Sequence, residues 1–331
     1  MIPWKRFRHS LEEFLCRALA WGIPLLSRRA CVRVGEALGT VAFHVDRRGR
    51  KVALANLACV FADRLPAWRL ETVRSSYRNF ARTMMDLFWA PRITAGNFRE
   101  YIHLEGYEPF RERIERERRG IVFMCVHQGN WEWASLLGGF TGHTSTVVAE
   151  NFKNPRLTAI FTGLRQSSGQ TIIPQENSIL RLLKIAKRGG ATGMLIDLSL
   201  HPSQAGTVIE GFGFKMCVPV LHAVLAQRVG ALLVPIETQP LSDGTCRIVV
   251  HPPVEFGEEA TPHEIAQRCW DVFEPIVRAR PELWLWPYKH FRYKPKGAER
   301  NYPFYAHTAG RFEKLFRSIS PASESKPAPA P

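Results

Sequence analysis

No run of about eighteen uncharged apolar residues occurs in this sequence, so a complete membrane-spanning helix is not expected. Cysteine is sparse and scattered, with seven residues at positions 16, 31, 59, 125, 217, 246 and 269, the nearest two fifteen apart. That spacing excludes a Cys-x-x-Cys metal or redox motif. An odd, dispersed set reads as ordinary thiols in a reducing compartment. The His-Glu-x-x-His of zinc proteases, the Gly-x-Ser-x-Gly elbow, a Walker loop and the Pro-Cys-x-x-Cys of zinc deaminases are all missing. Gly211-Phe212-Gly213 is too short to be a dinucleotide fingerprint. No metal and no cofactor is therefore expected. Acidic residues also run short, 30 Asp and Glu against 45 Lys and Arg, for a formal net charge of +15. Such a surplus favours polyanions: nucleic acid, anionic lipid headgroups or an acidic carrier protein, among which charge alone does not choose.

What is present is ample apolar material. The 331 residues are 45% hydrophobic, enough for one large core or two modest ones. Phe14 to Leu26 is broken by Arg17 and Pro24 and flanked by Lys5, Arg6 and Arg8 before it and by Arg28 and Arg29 after it. Glu12 and Glu13 fall where a signal peptide keeps its positive region, so cleavage is not expected. An interfacial helix and a core helix at the domain edge both fit. Further on, Leu70, Val73, Tyr77, Phe80, Met84 and Leu87 alternate steps of three and four, one buried face of a helix from Ala67 to Trp89 between Pro66 and Pro91. Arg74, Arg78 and Arg82 run along its flank, either in solvent or facing phosphate.

From Gly120 short apolar runs alternate with helical patterns. Strands are expected at 121–126, 145–149, 171–174, 194–198, 231–236 and 246–250, and helices from 131, 155, 178, 218 and 263. The implied fold is α/β, a mostly parallel central sheet flanked by helices, with an N-terminal helical membrane-associating region. Residues 1–100 form that membrane-proximal region, 101–317 the α/β domain, and 318–331, rich in Ser, Pro, Ala and Lys, a disordered tail.

The sharpest local signal is Val126-His127-Gln128-Gly129-Asn130-Trp131-Glu132. His127 falls at a strand end, where open α/β sheets place ligands. Gly129 permits a tight turn, Asn130 caps the next helix, and Glu132 sits in its first turn. The turn can fold Glu132 toward the imidazole, fixing its tautomer and freeing the other nitrogen as a base. Asp197, at another strand end, could assist catalysis or hold a cation, but capping of the following loop is the favoured reading. His201 and His222 have no partner visible in sequence.

These residues resemble the His-x4-Asp/Glu motif of the lipid A biosynthesis acyltransferases, the lauroyl and myristoyl transferases within the wider lysophospholipid acyltransferase superfamily. The similarity runs from about residue 45 to 295 through Asn56-Leu57, Asn154-Pro155, Arg165, Asp197, Gly211-Phe212-Gly213, Val234-Pro235 and Pro281-Glu282 with Trp284 and Trp286. The resemblance implies a donor on acyl carrier protein or coenzyme A and an acceptor hydroxyl on a membrane lipid. It makes His127 the general base, Glu132 its orienting partner and Arg165 a phosphate- or oxyanion-binding residue; Asn130 and Lys215 join Arg165 as candidates for substrate binding. It also implies an anionic membrane surface at the cytoplasmic face of the inner membrane. Leu198 after Asp197, Phe214 and Lys215 after the Phe-Gly pair, and the closing Trp284 to Tyr293 segment depart from the family's usual residues. These departures fall where the acceptor would bind, so a lysophospholipid, an aminolipid or another glycolipid stays open beside lipid A.

The aromatic and basic residues from Trp284 to Lys296 suit a packed core segment, a bilayer anchor or, least well, nucleic-acid stacking. Arg47, Arg48, Arg50 and Lys51 form a second basic knot, suited to anionic lipid or an acidic carrier. A basic membrane- or nucleic-acid-binding protein without catalysis is the alternative outside the enzymes. The intact His127 and Glu132 argue against it, and nucleic acid is not the expected partner.

Overall fold

The computed structural model describes residues 2–149, 152–174 and 178–319. Four helices come first: α1 (Ile2–Gly22), α2 (Arg28–Val45), α3 (Arg47–Val60) and α4 (Pro66–Trp89). Ser27 and Asp46 cap α2 and α3 with side-chain acceptors, and Pro66 opens α4 where no intrahelical donor is needed. Helices α2 and α4 approach closely through Gly35 and Gly39, where an added Cβ would stand 2.7 and 2.5 Å from the Cα atoms of Arg82 and Arg78. Arg78 donates to Thr40 at 3.0 Å and the buried Arg82 to the Leu241 carbonyl at 2.8 Å. Two of the three flank arginines thus join elements together instead of facing solvent or phosphate.

The remaining elements are α5 (Phe98–Tyr101), β1 (Ile102–Glu105), α6 (Tyr107–Glu117), β2 (Ile121–Cys125), α7 (Trp131–Phe140), β3 (Ser145–Ala149) and α8 (Pro155–Arg165). They continue with β4 (Thr171–Pro174), α9 (Ser178–Lys187), β5 (Ala191–Leu195), β6 (Gly206–Gly211), β7 (Phe214–Pro219) and α10 (Leu221–Val229). Last come β8 (Leu232–Pro240), β9 (Cys246–Val250), α11 (Pro262–Ala279) and α12 (Gly310–Ile319). Seven strands form one sheet in the order β1-β9-β8-β2-β5-β3-β4, parallel at every pairing but β8–β9. Strands β6 and β7 form a separate antiparallel hairpin. The α/β architecture expected from the alternation is the one observed.

Alternate residues of a strand point to opposite faces, and the core divides accordingly. Val122, Met124 and Leu233 join a cluster with α9, α10 and α11, while Ile121, Leu232 and Val234 join one with α2, α7 and α8. Trp284, Trp286, His290 and Phe291 are fully buried, Trp284 and Trp286 packing around Phe212 and Trp270. Of the three readings of that segment, the core reading holds, and its aromatics are not free to stack on bases or enter a bilayer.

No described helix is long and apolar enough to cross a membrane. Phe14, Leu15, Trp21 and Leu25 in the 14–26 segment are exposed, and only Ile23 is fully buried. Of the tail expected from 318, residues 318 and 319 end α12, and 320–331 lie outside the described residues.

Candidate active site

Strands β2 and β5 pair in parallel with Cys125 opposite Leu195, and the ladder continues as Ile196 N–H donates to the Cys125 carbonyl at 3.1 Å. That register brings His127 level with Asp197, each two residues beyond its strand. The Asp197 carboxylate accepts twice from His127, from Nδ1 at 2.7 Å and from the backbone N–H at 2.9 Å. Trp284 Nε1 donates to the same carboxylate at 2.8 Å. Burial pushes the Asp197 carboxyl up, but the charge and hydrogen bonds of His127 outweigh it and hold the group below the usual carboxylate range. The proton on Nδ1 is therefore directed at Asp197. Among the described residues, Nε2 has no hydrogen-bond partner, and the side chain keeps some exposure.

The turn after β2 is fixed at nearly every backbone group. His127 C=O accepts from Leu285 N–H, and Gln128 C=O from the Thr238 hydroxyl, which in turn accepts from Asn130 N–H. Gly129 N–H donates to Leu283 C=O, and Gly129 C=O accepts from Asn79 and Thr83 of α4. Gly129 adopts φ +61°, and an added Cβ would lie 2.0 Å from the Thr238 carbonyl oxygen, so only glycine fits.

The carboxylate on His127 is Asp197, and the contact expected from Glu132 is not formed. Glu132 is buried in α7 and accepts a two-pronged bond from Arg165, Nη2 at 2.6 Å and Nε at 3.0 Å. A planar guanidinium at the end of α8 suits that fork. Asn130 has both polar ends engaged inside the protein: its oxygen accepts from Trp133 N–H at 3.1 Å, capping α7, and its amide donates to Asp86 at 2.8 Å. Both contacts serve the turn and the start of α7. Lys215 lies on the β6–β7 hairpin, where it pairs with Glu210 at 2.7 Å. None of its described contacts reaches His127, Glu132 or Arg165. Of the sequence candidates, His127, Asn130 and Glu132 share one turn, Arg165 joins them through Glu132, and Lys215 stands apart.

Arg165 also borders a cavity of about 220 Å³ lined by Ala149, Phe152, Phe161, Thr162 and Ile173. Drug-sized ligands occupy roughly 300–1,000 Å³, so the cavity, whose wall mixes Thr158, Thr162 and Arg165 with apolar side chains, suits a slender group. Helix α8, on its wall, is clasped to α1: Asn154 Nδ2 donates to the His9 carbonyl and to Glu12, both at 3.0 Å, and Arg156 pairs with Glu13 at 2.7 Å. Among the described residues no group of three His, Cys, Asp or Glu side chains is placed to hold a metal ion.

The sequence model of the bacterial lipid A biosynthesis acyltransferases matches residues 4–293. The chain is 22% identical to a lipid A biosynthesis lauroyltransferase of Escherichia coli over 85% of its own length and 92% of that protein's. It is 23% identical to a lipid A biosynthesis myristoyltransferase of the same organism over 90% and 93% of the two chains. A phosphatidylinositol mannoside acyltransferase of Mycolicibacterium smegmatis is 24% identical over 53% of this chain and 58% of that one.

Proposed function

Because the chain belongs to the bacterial lipid A biosynthesis acyltransferase family, we propose that it moves a fatty acyl group from a thioester carrier to a hydroxyl of a lipid A-type glycolipid. His127 is the general base. The observation carrying this reading is the 2.7 Å contact of His127 Nδ1 with the buried Asp197, which leaves Nε2 unpartnered. The acceptor hydroxyl gives its proton to Nε2 as its oxygen bonds to the acyl carbon. The carbon–sulfur bond then breaks, and the imidazolium returns the proton to the departing sulfur. A fixed negative charge on Nδ1–H stabilises that imidazolium, the task Asp197 is placed to perform. In this scheme Glu132 acts indirectly, anchoring Arg165 beside the narrow cavity, walled in part by Phe152, Phe161 and Ile173, where the fatty chain lodges.

The donor is an acyl carrier protein or acyl-CoA, and the lipid is met at the anionic cytoplasmic face of the inner membrane. Exposed Trp4, Phe7, Phe14 and Trp21 on α1, among basic residues, support docking there. The test incubates purified protein with acyl carrier thioester or acyl-CoA and a total lipid extract, with products read by mass spectrometry. An acylated glycolipid is expected. An acylated lysophospholipid or aminolipid as the main product overturns the acceptor assignment. His127→Ala should lower transfer at least about 10²–10⁴-fold while circular dichroism stays unchanged. Near-normal transfer by the folded variant overturns the base assignment.

A further inference from the structure

Asp86 is a buried charge that this mechanism does not use. It lies in α4, about 1% exposed, with its two oxygens divided between two elements. Oδ1 accepts from Arg28 Nη1 at 2.5 Å, and Oδ2 accepts from Asn130 Nδ2 at 2.8 Å. Its backbone carbonyl accepts from Trp133 Nε1 at 3.2 Å. Arg82 approaches Oδ2 at 3.8 Å, and the Arg28 guanidinium lies 4.7 Å from the Trp133 ring centroid. Burial pushes the Asp86 carboxyl up against the pull of both arginines. Both oxygens already accept, one from Arg28 and one from Asn130, so a proton there would displace one of these bonds.

We propose that Asp86 is a positioning residue for the reaction at His127, acting through Asn130, and that Arg28 keeps it in place. This rests on the functional reading above. Only one atom of Asn130 can cap α7, its oxygen, because the Trp133 N–H is a donor. The amide NH₂ must therefore face α4, and Asp86 is the acceptor it meets. That choice fixes the entry angle of α7. Trp131, the first residue of α7, has its ring 5.2 Å from the His127 ring, and Glu132 follows with Arg165. A shift of this first turn moves the aromatic wall against the base. The cap fixes which atom faces α4, and Asp86 supplies the acceptor that this atom requires.

The hydrogen-bond logic supplies its own test. In Asp86→Asn, an amide oxygen kept on Arg28 sets NH₂ against the NH₂ of Asn130. Flipping Asn130 relieves that clash and sets its NH₂ against Trp133 N–H, so one donor–donor contact remains either way. In the exchange variant Asp86→Asn/Asn130→Asp every group is satisfied again: the amide at position 86 accepts from Arg28 and donates to the carboxylate at position 130, which also accepts from Trp133. Folded Asp86→Asn should lose about tenfold or more in kcat with KM nearly unchanged, as expected for one misplaced group within hydrogen-bond reach of the reaction. The exchange should restore kcat.

The resonance of the His127 ring, assigned by its loss in His127→Ala, is followed by NMR in the same three proteins without substrate. It should move in Asp86→Asn and return in the exchange variant. This arm reports on the positioning even if the wild type turns over none of the proposed substrates, which would sink the functional reading alone. Wild-type kcat and an unmoved His127 resonance in folded Asp86→Asn overturn the proposal. So does a folded exchange variant that stays slow with its resonance displaced. If Asp86→Asn does not fold, the exchange variant decides by the same two readings.

Discussion

The turn from His127 to Asn130 and the helix α1 stand at the two ends of the path proposed for the lipid, and they are built in opposite ways. Around the turn, α4, β8 and the 283–285 segment occupy nearly every backbone donor and acceptor, and Gly129 leaves no room even for a methyl group. On α1, Trp4, Phe7, Leu11, Phe14 and Trp21 follow helical spacing along one stripe and are exposed. General base catalysis requires placement within hydrogen-bond reach, so it tolerates no slack. Adsorption to a lipid surface requires apolar area and mobile cations but no fixed register. Helix α8 joins the two, holding Glu132 at its C-terminal end and α1 at its N-terminal end.

The sharpest break would come at Asp197. Asp197→Asn keeps the volume but removes the charge facing Nδ1–H, and kcat should fall about 10²–10⁴-fold with the fold retained. The same carboxyl links folding to pH. Its folded-state value lies below its unfolded one, so its stabilisation is present above about pH 4 and is lost as pH falls through the folded-state value. Asp197→Asn should therefore flatten the acid limb of a stability–pH profile. Wild-type kcat in the variant would return the orienting role to Glu132.

A smaller loss is expected at the joint. Arg165→Leu leaves the buried Glu132 unpaired, and breaking a buried pair costs about 3–5 kcal/mol. The lower end is expected because Arg165 itself is partly exposed. Urea unfolding measures it, and Arg165→Leu/Glu132→Gln should recover part of the loss. An unchanged midpoint in the single variant would mean that α8 does not bear on α7 through this pair.

Much of the first region was legible in the sequence. Spacing and capping located the 121–126 strand, Asn130 as a helix cap and the helix to Trp89, because these signals are local. The partner of His127 was not, because Asp197 reaches it only through the parallel register of β2 and β5, seventy residues apart in the chain. Placing β5 three residues late, at 194–198 against the observed 191–195, hid that both residues sit two positions past their strands. The β6–β7 hairpin was also missed. Its turn uses Phe212 at φ +57° beside Gly213, and Phe212 tolerates that conformation inside an aromatic cluster no local pattern reveals. The 14–26 segment stayed undecided for a different reason. Its amphipathic pattern is the same whether a core or a lipid surface covers it, and the structure leaves Phe14, Leu15, Trp21 and Leu25 uncovered while Leu19, Ile23 and Leu26 pack inward.

That uncovered stripe gives the mildest prediction and the one that tests the other end of the comparison. Burying a large apolar side chain fully contributes about 1.5–3 kcal/mol, and a ring at an interface is buried by about half. Each of Trp4→Ser, Phe7→Ser and Phe14→Ser should therefore weaken binding to anionic vesicles about tenfold or less. The three rings lie far out on the helix, on the side away from Glu12 and Glu13, which hold α8, so folding stability should barely change. Turnover of lipid in vesicles should fall with binding, and turnover of detergent-dispersed lipid far less, because dispersal removes the adsorption step. Added salt should weaken binding further, since the basic residues beside the stripe act through screened charge. If the triple variant binds vesicles as tightly as the wild type, α1 is not the docking element. If vesicle and detergent turnover fall in parallel, α1 acts on the chemistry through α8, and the division between a fixed turn and an adsorbing helix is wrong.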